Sequence, residues 1–212
     1  TRQITLCLGA NSSFLSNQVH AVAGSELLRP AEYGELVMTE LSANPWPDNP
    51  LESRHVSLDD ALISLCERVE ALAAGSIAGL TICNPSRTHI ERAIFPRLPE
   101  YAAAIRAIPL SPVNFGSCVR AVARGEIITC PDIAEERRFD PQWQRLSFDN
   151  GIRSLQSRPV YLGDGKPFGT FVLAYRQPRT ETDWNVALMK FAADAAGLII
   201  QSDFDRPKVA AE

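Results

Sequence analysis

Cys118 is the residue whose type and setting most invite chemistry. It stands in FGSCVRAVARGEIITCPD, residues 115–132, two positions after Gly116 and in the first turn of an expected short helix. A thiol there feels the positive end of the helix dipole, which favours the thiolate and with it redox or nitrosation chemistry. A lone cysteine is more often a small buried apolar residue, and that alternative stays open. Cys130 lies one helix-to-strand step away, so a switchable pair with Cys118 is conceivable. With Cys7, Cys66 and Cys83 the set is odd, five in all, and no pair has CxxC spacing. Neither a disulfide framework nor a zinc site is indicated, and reduced thiols in a cytoplasm are expected. No Ser-His-Asp grouping, P-loop or metal-spaced histidine set is present.

Composition sets the outer bounds. The 212 residues are 45% apolar and 22% charged, ordinary for a globular chain, and the net charge is −4. The arginines are scattered rather than clustered, which argues against a nucleic-acid surface. No run approaches the ~20 apolar residues of a membrane span, and TRQITLCLGANSS lacks the apolar run and basic flank of a signal peptide. The chain opens on Thr1 rather than Met, so a processed or excised origin is expected.

Residues 1–50 fit the rest poorly. ITLCL suits a short strand, Ser25 to Leu41 a helix, and ANPWPDNP breaks regular structure. An extension over 1–50, a domain over 51–205 and a tail over 206–212 are expected. Ser57 then reads as an N-cap before an amphipathic helix carrying Leu58, Ala61, Leu62, Leu65, Val69 and Leu72 and ended by Gly75. AGLTIC and His89 to Phe95 read as paired strands, and Pro99 to Ala107 as a short helix. Gly116 and Gly125 bracket a helix, followed by a strand over Glu126–Cys130. Pro141 starts a helix to about Asp149, Leu155–Leu162 and Phe168–Tyr175 form a hairpin turning at Asp164-Gly165, and the last helix runs from about Glu181 to Asp203. Five or six strands grouped with helices predict α+β architecture with an antiparallel sheet.

This order, with GSCVRAVARGE, the hairpin ending FGTFVLAYR, Asp132-Ile133 and Asp140-Pro141 followed by Trp143, resembles the GAF domain over about Ser57 to Asp203. The resemblance implies a bacterial signalling protein of the sensor-kinase or cyclic-dinucleotide-cyclase type. It implies an antiparallel sheet with the terminal helices on one face and short pocket helices on the other. A small-molecule ligand would sit among those pocket helices, around 98–150. Carried over position by position, the wall would be Phe115, Ser117, Cys118, Asp132, Trp143, Leu146 and Arg153. The helix from Gly116 would offer backbone N–H groups to an anion or carbonyl, and Arg153 a guanidinium fork. For each the plainer alternative stands: core packing for Trp143 and Leu146, a local turn for Asp132, a solvated strand end for Arg153.

The resemblance also orders the functions. First comes a cytoplasmic sensory domain without chemistry of its own, forming a homodimer through its terminal helices, 57–73 and 181–203, and relaying to an output domain. The alternatives are an interaction module whose pocket its own side chains fill, a thiol-based redox sensor, and an enzyme like the free methionine-R-sulfoxide reductases. The last use three cysteines, and here only Cys118 aligns; Ile108 and Gln142 fall near the other two positions, leaving no resolving thiol. The cofactor stays unknown. Phe139-Asp140 followed by Pro141-Gln142 departs from the cyclic-nucleotide pattern, the bilin motifs are missing, and His20, His55 and His89 are poorly placed for haem. An unidentified small metabolite or ion remains.

Overall fold

A computed structural model describes residues 22–23, 26–27, 57–111, 115–179 and 183–206. The chain divides into two units, Thr1–Pro47 and Asp48–Glu212. In the first, β1 (Val22–Ala23) pairs antiparallel with β2 (Glu26–Leu27). Glu26 and Leu27 are therefore extended, ahead of the helix expected within Ser25–Leu41 with Pro30 near its start. That helix and the strand expected at ITLCL lie outside the described residues.

In the second unit, Ser57 starts α1 (Leu58–Leu72) as expected. Its Oγ accepts the Asp60 backbone N–H at 3.1 Å, and Asp59 and Asp60 complement the positive helix end. Gly75, with φ +79°, then turns the chain into β3 (Ser76–Cys83), which is buried along its whole length. β4 (Ile90–Ile94) pairs back with it, one residue later than the sequence suggested. Pro99 begins α2 (Pro99–Ile105). Gly125 ends α3 (Ser117–Arg124) at φ 65°, a left-handed position where glycine carries no Cβ penalty. β5 (Ile128–Cys130) is shorter than the expected Glu126–Cys130, and Asp140 caps α4 (Pro141–Asp149) through the Gln142 N–H. β6 (Ser154–Tyr161) and β7 (Pro167–Tyr175) form the hairpin, and α5 (Asp183–Asp205) closes the fold.

The five strands make one antiparallel sheet in the order β4-β3-β7-β6-β5. Alternation sends Leu80, Phe171 and Leu173 to the face covered by α1 and α5. Ile77, Leu155, Val172 and Ala174 point to the opposite face, where α3 packs. The two layers differ in kind. α1 and α5 pack on each other and on the sheet, and Gly197 of α5 comes so near that a Cβ there would meet the Tyr161 carbonyl oxygen at 2.6 Å. On the other face, α2, α3 and α4 with their connecting turns build a second hydrophobic core against the strands. No helix among the described residues is long and apolar enough to cross a membrane.

Candidate functional site

The face under α3 carries a row of small polar side chains inside an apolar layer. Thr81 and Thr170 occupy paired positions on β3 and β7, and their hydroxyls meet at 2.8 Å. Ser157 of β6 donates to the Ser117 hydroxyl at 2.9 Å, and the Cys118 sulfur lies 3.8 Å from the Ser157 oxygen. Burial pushes the Cys118 thiol up from its ordinary value, while Thr170, Ser157, Ser117 and Thr81 together pull it part of the way back. Burial thus favours the neutral thiol, the plainer of the two readings that the sequence left open. Burial likewise pushes Cys83 and Cys130 up to about 12.

Above this floor, Cys118 and Trp143 belong to one buried cluster, with Phe115 and Leu146 packed half-buried against it. Trp143 projects from α4 into an edge contact with Phe139, ring centroids 4.9 Å apart, and lies against Gly116 at the start of α3. Tyr101 of α2 is fully buried beside it. Its hydroxyl faces the Trp143 indole and the Ser147 hydroxyl, and burial holds the phenol neutral by pushing its pKa up. Ser147, one helical turn after Trp143, is fully buried, its Oγ turned towards the Tyr101 hydroxyl. Tyr101 was legible in the sequence only as a core residue, and Ser147 was passed over. Its signal was the spacing: Trp143 and Ser147, four apart, share one face of a helix.

Asp132 and Arg153 come together at a different place. Nη2 of Arg153 bonds both Asp132 oxygens at 3.1 Å, and the Ala134 N–H bonds the same carboxylate at 2.9 Å. That backbone bond, then the guanidinium, holds the Asp132 pKa below its ordinary value. The Arg153 fork is thus already engaged, with its Nε buried and unpartnered and its Cζ 5.7 Å from the Phe148 ring centroid. Asp132 also lines an open cleft of about 720 Å³ with Pro131, Glu135, Glu136, Pro178 and Arg179. Here Arg179 stacks on Tyr175 at 4.0 Å, and Glu136 is held by the side chain and N–H of Arg138, which take its pKa down to about 2. Apart from Asp132, the charges facing this cleft were not singled out from sequence, because Arg179 reaches it only through the β7 exit.

The expected wall therefore falls into two parts. Phe115, Ser117, Cys118, Trp143 and Leu146 gather between the sheet and the pocket helices, while Asp132 and Arg153 pair with each other. Residues 112–114, which lead into Phe115, lie outside the described residues. His89 is half-buried, with Nδ1 3.1 Å from the Thr88 hydroxyl. No grouping of His, Cys, Asp or Glu suited to a metal occurs among the described residues.

A sheet with two terminal helices behind it and short helices in front is also what the comparisons recover. The family model described as GAF domain matches residues 55–201. The chain belongs to the GAF domain family. No curated protein matches it. Among solved structures, free methionine-R-sulfoxide reductase from Neisseria meningitidis, in complex with its substrate, aligns at TM-score 0.59 and 14% identity, covering 87% of this chain and 98% of that one. The GAF domain of an Acinetobacter phosphoenolpyruvate-protein phosphotransferase aligns at TM-score 0.56 and 13% identity, over 86% and 99%. The phycoerythrobilin-bound GAF domain of a cyanobacterial phytochrome aligns at 0.53 and 14%, over 82% and 97%. At such identities the likeness is one of fold. The GAF domain is a sensory and regulatory fold, and in this one the polar groups described above lie between the sheet and helices α2–α4.

Proposed function

We propose that this GAF domain is a sensor that binds a small molecule between the sheet and helices α2, α3 and α4, without chemistry of its own. Phe115, Ser117, Cys118, Trp143 and Leu146 form the wall, and Asp132 and Arg153 pair with each other away from it. The observation that carries the reading is the row of buried polar side chains, Thr81, Thr170, Ser157 and Ser117 with Cys118 beside them, set into an apolar layer under α3.

Relay runs through the sheet. α3 contacts β6 and β7, and α5 packs on the same two strands from behind. The close approach of Gly197 to Tyr161 leaves little slack, so a change of spacing at α3 reaches α5 and α1. Both helices then serve a homodimer and an attached output domain in a bacterial cytoplasm. Leu198, 72% exposed on α5, supports such a contact.

Native mass spectrometry of freshly purified protein, repeated under denaturing conditions, tests the reading. A bound mass that vanishes on denaturation is the expected result. A clean mass that no small-molecule extract shifts would instead favour an interaction module filled by its own side chains, a reading supported by the burial of Phe95, Leu98, Tyr101 and Trp143 in one cluster. An added mass that survives denaturation would point to covalent chemistry.

A further inference from the structure

Tyr161, the last residue of β6, touches a helix on each face of the sheet. Its hydroxyl donates to the carbonyl of Gly125, the C-cap of α3, at 3.0 Å. Its own carbonyl oxygen lies so near Gly197 of α5 that a Cβ there would meet it at 2.6 Å. α3 carries Ser117 and Cys118 of the candidate site, and α5 packs on β6 and β7 from behind. One residue thus joins the end of a site helix to the closing helix.

The backbone around Tyr161 is less constrained than the sheet it leaves. β5 pairs with β6 only as far as Ser157, and the β6–β7 register shifts between Val160 and Tyr161. Opposite Tyr161 stands Pro167, which has no N–H to give to the ladder. The phenol ring is rigid, and an O–H···O bond weakens steeply when bent or stretched, so the ring follows the carbonyl it holds.

Beyond Tyr161 the β6–β7 hairpin stays on α5. The Gly163 N–H donates to the Gln201 side-chain oxygen at 3.2 Å, and Phe168 meets Phe204 edge-on, ring centroids 5.4 Å apart. Gly197, Gln201 and Phe204 follow one another at steps of four and three, which places them on one face of α5. The last turns of α5 therefore lie along the hairpin. Arg87 stiffens the hairpin from its other side: Nε donates to the Pro167 carbonyl at 3.1 Å, Nη2 pairs with Asp164, and Cζ lies 5.3 Å from the Phe168 ring centroid.

We propose that Tyr161 is the positioning residue through which the end of α3 sets the placement of the C-terminal half of α5. A displacement of Gly125 draws the phenol with it, the Tyr161 carbonyl presses on or withdraws from Gly197, and Gln201 and Phe204 follow the hairpin. The inference rests on the reading of this domain as a sensor and names the contact that carries its signal across the sheet.

Coupling between two places is reciprocal, so α5 can be perturbed and α3 read, with no ligand present. Gly197→Ala is made in the whole chain and again in a Tyr161→Phe chain, which lacks only the phenol oxygen. Tyr161 is 45% exposed, so that chain keeps its core. Backbone amide resonances are compared within each background by proton–nitrogen NMR. With Tyr161 present, Gly197→Ala should shift the amide of Gly163 and also that of Gly125, whose N–H bonds the Ala121 carbonyl at 2.9 Å. With Tyr161→Phe the Gly163 shift should persist and the Gly125 shift should be lost. If Gly197→Ala does not fold, Gln201→Ala, which releases Gly163 without adding bulk, should give the same pattern. A Gly125 shift equal in both backgrounds would overturn the role of the phenol and place the coupling in the strands. A Gly125 amide unmoved in both, while Gly163 moves, would overturn the coupling of α3 to α5. Neither outcome bears on ligand binding, which the mass measurement decides by itself.

Discussion

Gly116 and Trp143 are so close that a Cβ added at Gly116 would meet the indole Cδ1 and Nε1, each at 2.5 Å. Gly116 has an extended backbone, φ −171°, so the need for glycine here is space rather than conformation. The contact ties the entry of α3 to the interior face of α4, and both elements carry wall residues of the site.

Gly116→Ala should therefore cost about 1–3 kcal/mol by overpacking against a buried ring. Urea denaturation would show this as a lower midpoint with an unchanged slope. Gly163→Ala is the control, since its nearest atom is the Gln201 side-chain oxygen at 3.6 Å. A midpoint in Gly116→Ala equal to that of the control would mean that the indole yields freely, and that α3 and α4 are not locked together.

Glu136 makes stability depend on pH. Its side chain is 7% exposed, and it accepts hydrogen bonds from the Arg138 side chain and N–H. These take its pKa from 4.5 down to about 2. The unfolded chain thus binds the proton more readily than the folded one, and the contribution is complete above pH ~5 and lost as pH falls towards 2. Its size is about 2–3 kcal/mol at neutral pH. Glu136→Gln should remove that fraction of the acid dependence, so that its stability and the parent's converge near pH 2. Parallel stability curves between pH 7 and 2.5 would show that Arg138 does not hold this carboxylate.

What could be read from the sequence, and what could not, divides along the range of the interactions. Ser57, Gly75, Gly125 and the Asp140-Pro141 pair act within a few residues of themselves, so the ends of α1, α3 and α4 were legible from local chemistry. Strand limits were blurred because β4 and β5 stop where pairing stops, and pairing belongs to the partner strand. The site shows the same division. Trp143 and Leu146 stood out by type and spacing, but Ser147 gains its meaning only when α2 brings Tyr101 against it. Arg153 looked available until its partner Asp132, 21 residues away, was in place. The Thr81–Thr170 pair needs the β3–β7 register, which a separation of 89 positions along the chain conceals.

Cys118 offers the sharpest test of how this domain senses. Its thiol is buried, its pKa is raised, and its neighbours are hydroxyls rather than a base or cation. Thiolate is the reactive form, so the native thiol should resist alkylation. Iodoacetamide labelling at pH 7.5 followed by peptide mapping should modify Cys118 at less than about one-tenth of its rate in urea, access then requiring opening of the fold. Cys118→Ser should be well tolerated, because the hydroxyl can take the same partners in Ser157 and Thr170. Cys118→Val should lose stability by about 1–2 kcal/mol, since it leaves those hydroxyls without that partner and adds bulk. Labelling of Cys118 in the native state as fast as in urea would mean an exposed thiolate, and would return the domain to the class of thiol sensors.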